Sequence, residues 1–112
     1  VADQNRRNNQ KNRMQIRNDN LRRHYGISHA DYESMAASQG GVCAICGTQE
    51  PGQKKRYFCV DHDHETGKVR QLLCNDCNVG LARLGEDPER LRRAAEYLER
   101  HRAAAIRPVG EG

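Results

Sequence analysis

Four cysteines in two CxxC pairs, Cys43/Cys46 and Cys74/Cys77, bracket the run Asp61-His62-Asp63-His64, and Asn78 follows the last cysteine directly. The pairs stand 27 residues apart and supply four soft ligands. Zinc saturated by four thiolates is tetrahedral and has no open position for a substrate, so this ion is expected to be structural. The enclosed run has a different chemistry. A carboxylate oxygen suits Mg²⁺ or Mn²⁺, and a neutral imidazole can take a proton from water near pH 7. The pattern therefore reads as a zinc-held frame around a second, catalytic metal site of the kind that hydrolyses a phosphodiester. The competing readings are polar turn residues or extra zinc ligands, and with four cysteines present the zinc needs no more. A redox role for either CxxC would require a thioredoxin-like βαβ context, which the sequence does not offer. Cys59 is left over, and its place in the middle of an expected strand makes it a buried apolar residue.

These groups need elements to position them. Lys54 to Val60 has the β-branched and aromatic content of a strand ending at the acid-imidazole run. Side chains alternate along an extended chain, so Asp61 and Asp63 would face one way and His62 and His64 the other, unless the strand ends there. Thr66-Gly67 offers a turn, Lys68 to Leu73 reads as the returning strand, and Asn75 to Leu84 as a helix carrying Cys77 and Asn78 in its first turn, with Gly85 ending it. Strand, loop, strand, helix is the expected order. Ahead of the frame, a helix over about residues 10 to 25 would stop at Gly26. A second would start at a Ser28/Asp31 capping box, show Tyr32, Met35 and Ala36 at helical spacing, and stop at Gly40-Gly41. These two could be read as a DNA-reading helix-turn-helix, but such an apolar stripe is more often core, and packing against the zinc frame is the expected job. A last helix would begin at Asp87-Pro88 and run to about Ile106, with Leu91, Ala94, Ala95 and Leu98 on one face. The expected organisation is a basic arm with helices over 1–40, a zinc-bound core over 41–85, and a C-terminal helix and tail over 86–112.

A chain of 112 residues with 36% hydrophobic content, one Phe and no Trp has little material for a core. It needs a staple, and structural zinc supplies one, because metal binding in small zinc domains is itself folding free energy. Five cysteines, four of them in CxxC pairs, argue against a disulfide framework, and with no signal peptide in front the expected setting is a reducing compartment. No apolar run approaches the roughly 20 residues of a membrane span.

The charge is uneven. Residues 1 to 24 carry seven Lys/Arg against two acids, whereas residues 25 to 112 carry twelve against thirteen, so the excess sits on an N-terminal arm that includes Arg13 and Arg17. A separate basic segment suits a polyanion, because releasing counterions condensed on phosphates drives binding. The plain alternative is a solvated tail. Lys68 and Arg70 on the returning strand are further candidates for phosphate contact, against the alternative of exposed strand polarity.

The segment from Gln39 to about Leu84, with QGGVCAIC, DHDHETGKVRQLLC and the following NDCN, resembles the recombination endonuclease VII family of phage nucleases, within the His-Me finger or HNH-type ββα-metal nucleases. Gln71 stands where many relatives would have glycine. The resemblance implies a small α+β fold with a zinc-stapled ββα-metal core flanked by N- and C-terminal helices. It implies a metal-dependent DNA endonuclease in which Asp61 and Asn78 hold the divalent ion, His62 is the general base and His64 orients the phosphate or supports the site. It also implies 5′-phosphate and 3′-hydroxyl ends, and a phage or prophage protein in the cytoplasm of a bacterial host.

Two function classes follow: a divalent-metal-dependent endonuclease, with or without preference for branched or Holliday-junction DNA, and a zinc-ribbon nucleic-acid-binding module that does not cleave. Cutting two strands at once calls for a homodimer, and the apolar face at Leu91, Ala95 and Leu98 could pair with a partner chain or cover the chain's own zinc domain.

Overall fold

The computed structural model describes residues 2–104, with side chains described over 12–102. The element order is α1 (Ala2–Tyr25), α2 (His29–Ser38), β1 (Cys59–His62), β2 (Val69–Leu73), α3 (Asn75–Arg83) and α4 (Pro88–Ala104). The result is a small α+β fold with one antiparallel two-stranded sheet, in which β1, β2 and α3 follow each other as the sequence led us to expect. The chain divides into two compact units, Val1–Asn78 and Val79–Gly112.

In the first unit, α1 stops where Gly26, at φ 71°, returns its N–H to the carbonyl of Arg22 at 3.0 Å. Glycine adopts this left-handed conformation without the Cβ penalty, which is why the helix ends there. The capping box of α2 is present: Ser28 Oγ accepts from the Asp31 N–H at 3.0 Å, and Asp31 Oδ2 accepts from the Ser28 N–H at 2.9 Å. Asn18 of α1 also accepts the His29 N–H at 2.8 Å, so one helix secures the first turn of the next. Beyond Ser38, the N–H groups of Gly40 and Gly41 bond back to Ala37 and Ala36, closing the helix end.

The core is built from α1, α2, β1 and β2. Leu21 of α1, Tyr32 of α2, Val60 of β1 and Leu72 of β2 are buried together, with Tyr25, Ile27, Met35, Ala36, Tyr57, Phe58 and Val69 packed around them. Burying a side chain such as Leu72 contributes about 2 kcal/mol. The apolar stripe of α2 is therefore spent inside, against the sheet.

The strands differ from the expectation in a way that has physical causes. β1 starts at Cys59, not Lys54, because Gln53 and Lys54 adopt left-handed φ values of 52° and 57° and Lys55 N–H closes a turn onto Gly52 O at 2.9 Å. Tyr57 and Phe58 reach the core from this irregular segment, and the Phe58 N–H donates to Tyr32 Oη at 2.9 Å instead of to a strand. Cys59 is accordingly the first residue of β1 and half-buried, not a buried mid-strand residue.

The register carries a bulge. Val60 pairs with Leu72 and His62 with Val69, so one residue of β1, Asp61, faces two of β2, Arg70 and Gln71. A bulge of this kind breaks the alternation of faces, and here Val60 and Asp61 are both buried while Arg70 and Gln71 are both exposed. Gln71 is not among the residues with positive φ, so the position does not require glycine.

The side chain of Gln39, the C-cap of α2, adds polar links to this sheet. Gln39 Nε2 donates to Val42 O at 2.8 Å and Leu72 O at 3.0 Å, while its Oε1 accepts from Leu72 N–H at 2.8 Å.

In the second unit, the N–H groups of Gly85 and Glu86 bond to Ala82 and Leu81, ending α3. Asp87 Oδ1 then accepts the Glu89 N–H at 3.0 Å ahead of α4, whose first residue is Pro88. The expected end near Ile106 lies outside the described residues. No helix among the described residues is long and apolar enough to cross a membrane.

Candidate active site

The four frame cysteines converge. Their sulfurs all lie within 4.8 Å of one another, and those of Cys46 and Cys74 are 3.7 Å apart. Thiolates held tetrahedrally by zinc at about 2.3 Å stand roughly 3.8 Å from each other, so the spacing fits that ion and is far too long for a disulfide. Each pair is shaped by its own backbone. Cys43 N–H bonds to Thr48 O and Gly47 N–H returns to Cys43 O, which folds the first pair into a tight knuckle. The second pair opens α3, where Asn78 N–H bonds to Cys74 O at 3.0 Å and Cys77 N–H points at Cys74 Sγ at 3.4 Å.

The electrostatics of the cluster also call for a cation. Burial pushes the Cys43 thiol up, but the backbone N–H groups of Cys74, Cys46 and Ile45 outweigh that and bring it down to about 6. Burial raises the Cys77 thiol, and the neighbouring thiols raise it further. Cys74 is also raised, chiefly by burial. One thiolate forms readily and opposes the next, a conflict that a dication at their centre removes.

At the other end of β1, Asp61 is buried at 8% exposure and His62 is the last strand residue. The His62 ring lies 4.7 Å from that of His64 and 5.5 Å from that of Tyr25. The two histidines thus share a side, as alternation suggests. Asp63 does not join Asp61: its Oδ1 accepts the N–H groups of Glu65 at 2.8 Å and Thr66 at 3.2 Å, building the turn toward Gly67. Those same bonds hold its carboxyl below the usual range.

Arg70 is the main surprise. From the bulge of β2 its Nε donates to Asp61 Oδ2 at 2.5 Å and its Nη2 to Asp61 Oδ1 at 3.0 Å, with a further bond from Nη2 to His62 O at 3.2 Å. The expected phosphate contact is thus a side-on partner of the expected metal ligand. Lys68 is exposed on the loop, and Asn78 sits half-buried on the first turn of α3.

Arg13 and Arg17 line a hollow of about 570 Å³ together with Met14, Ile16, Asn20, Arg56 and Tyr57. The Arg17 guanidinium lies 3.9 Å from the Tyr57 ring centre and 4.8 Å from that of Tyr32, and its buried Nε and Nη2 have no acceptor. Aromatic faces hold this cation in place without neutralising it. The lining has no acidic residue.

Sequence reasoning did not single out Tyr25, Arg56 or the pairing of Arg70 with Asp61. An Asp-Arg pair across two strands was within reach only if the register, and so the bulge, had been known.

Comparison with known proteins adds lineage to this geometry. The Gene 59 protein of Mycobacterium phage D29 is 41% identical over 88 residues, covering 78% of this chain and 51% of that protein. Its counterpart in Mycobacterium phage L5 is 43% identical over 90 residues, with the same coverage. The chain spans about half the length of these curated relatives. Among solved structures, the ββα-Me type II restriction endonuclease Hpy99I is similar, with a TM-score of 0.47 and 28% identity over 74% of this chain and 48% of that one. The family model for recombination endonuclease VII matches residues 18–100, and the chain belongs to that family.

Proposed function

We propose that this protein is a divalent-metal-dependent endonuclease that hydrolyses DNA phosphodiester bonds, with His62 as general base. The observation that carries it is the junction of a buried carboxylate and an imidazole at the end of β1, held in a ββα unit by a cysteine frame suited to zinc. Family membership supports the same reading.

The donor set fits a hard cation. Asp61 offers a carboxylate and Asn78 an amide oxygen, the oxygen donors such an ion takes. A bound Mg²⁺ or Mn²⁺ would supply Lewis-acid stabilisation of the charge that develops on the phosphate and on the departing oxygen. His62 takes a proton from the attacking water, whose oxygen forms the new bond to phosphorus as the bond to the 3′ oxygen breaks. The 3′ oxygen leaves with a proton drawn from solvent, which gives 5′-phosphate and 3′-hydroxyl ends. Tyr25 and His64 flank the His62 ring and keep it aimed, and His64 can also meet the phosphate. In this reading residues 41–85 are the nuclease core.

Lys68 and Arg70 contact the strand being cut, while Arg13 and Arg56 contact phosphates farther along, above the fixed charge of Arg17. Tyr97 and Leu98 of α4 are exposed, at 55% and 52%, and two copies joined there would bring two sites to one substrate. Junction preference, if selected, arises from such pairing. Comparison of four-way junction, Y-branch and linear duplex, with the solution mass measured alongside, tests both.

The decisive experiment is plasmid nicking with Mg²⁺ or Mn²⁺. His62→Ala is expected to lower the rate by about 10² to 10⁴ while zinc content and DNA affinity hold. Equal nicking by both proteins would sink the mechanism. Binding without nicking by the wild type would instead favour the non-cleaving zinc-ribbon module.

A further inference from the structure

We propose that Arg70 and the divalent ion exchange places on Asp61, so that ion binding itself frees the guanidinium for the scissile phosphate. This rests on the reading of Asp61 as an ion ligand and adds to it a coupling between two events.

The bulge is the origin. It sets Arg70 and Gln71 against Asp61, and Arg70 uses the side-on edge of its guanidinium, Nε and Nη2, to take both carboxylate oxygens at once. This fork geometry is the same one that arginine presents to phosphate. A dication at those oxygens would stand within a few ångströms of the guanidinium, and like charges so close in a partly buried site repel strongly. Asp61 cannot hold both in full.

Burial decides which partner moves. The Asp61 side chain is 11% exposed and that of Arg70 41%, so the carboxylate is fixed while the guanidinium has solvent to swing into. Arg70 compensates the buried charge in the ion-free protein, where an unpaired carboxylate would be costly. On release it stays tethered to β2 beside His62, whose carbonyl it also bonds. A phosphate presented at the end of β1, where His62 stands, would lie near it. Arg70 thus opposes ion binding in the free protein and favours the phosphate in the complex.

The test uses the full zinc-loaded chain without DNA. Calorimetric titration with Mn²⁺ should show Arg70→Ala binding the ion about five-fold more tightly than wild type, because the competing pair is gone. Arg70→Lys, which keeps charge but lacks the fork, should fall between. Asp61→Asn should lose most affinity. Equal or weaker Mn²⁺ binding by Arg70→Ala overturns the exchange. Wild-type binding by Asp61→Asn overturns the ion-ligand reading itself. In the wild type, the Arg70 Nε–H resonance should shift as Mg²⁺ is added, and a resonance unmoved at saturating ion would overturn the exchange even if the variants fail to fold. With DNA present, Arg70→Ala should raise KM despite its tighter ion binding.

Discussion

The cysteine corner and the Asp61-His62 end of β1 are made on opposite plans. The corner gathers four chemically identical groups within 4.8 Å, each pair shaped by its own local backbone, and leaves an ion nothing further to bind. The strand end gathers unlike groups, a carboxylate, two imidazoles and a guanidinium, brought from β1, the loop and β2. The first plan gives rigidity. The second gives unfilled positions and a side chain that can change partner, which is what chemistry needs and scaffolding does not.

If that contrast is right, damage to the two regions should separate cleanly. The largest effect belongs to the corner. Cys74→Ser, or chelation of the zinc, removes on the order of 10 kcal/mol of folding free energy, comparable to the whole stability of a small domain. Circular dichroism should show loss of the cooperative melt, and a melt unchanged after chelation would erase the distinction. Second comes His62→Ala, which should leave that melt within about 1 kcal/mol of wild type while nicking falls as described above. A collapse of stability here would show that the strand end is also scaffold.

Two smaller changes sharpen the picture. Gln39→Ala removes two hydrogen bonds that tie the end of α2 to β2 and a third to Val42, and should cost about 2 kcal/mol, visible as a drop in Tm on the order of 10 °C with zinc content unchanged. Ser28→Ala should cost about 1 kcal/mol through the lost cap. The Asp31 half of that box has a pH signature. The backbone N–H of Ser28, then its hydroxyl, hold the Asp31 carboxyl below its ordinary 3.8. A pKa lowered on folding adds stability that is complete above the ordinary value and disappears as pH falls through the folded one. The difference in Tm between wild type and Asp31→Asn should therefore be constant from pH 5 to 8 and shrink below pH 3.8.

Much of the fold was legible because its signals are local. Gly26, Gly40 and Gly85 end helices where left-handed φ is needed, Ser28 and Asp31 cap each other, and the two CxxC pairs announce their ion. What was not legible depends on residues far apart in sequence. Arg56 to Phe58 looks like strand by composition, yet Gln53 and Lys54 turn the chain and Tyr32 takes the Phe58 N–H, 26 positions away. Gln39 meets Leu72 across 33 positions, and no pattern within either segment points to the other. At the strand end, Asp61, His62 and His64 were singled out for their chemistry, but the partner of Asp61 depended on a one-residue register shift that alternation cannot reveal.

Gln39 has one more consequence. A two-stranded ribbon leaves both outer edges able to accept a strand from another molecule, and the apolar end of β2, at Leu72 and Leu73, would be a sticky one. At Leu72 both main-chain groups that such a strand would use are already occupied, by the Gln39 amide and by the Ala44 N–H. One glutamine thus closes the β2 edge at Leu72 to a strand from another molecule.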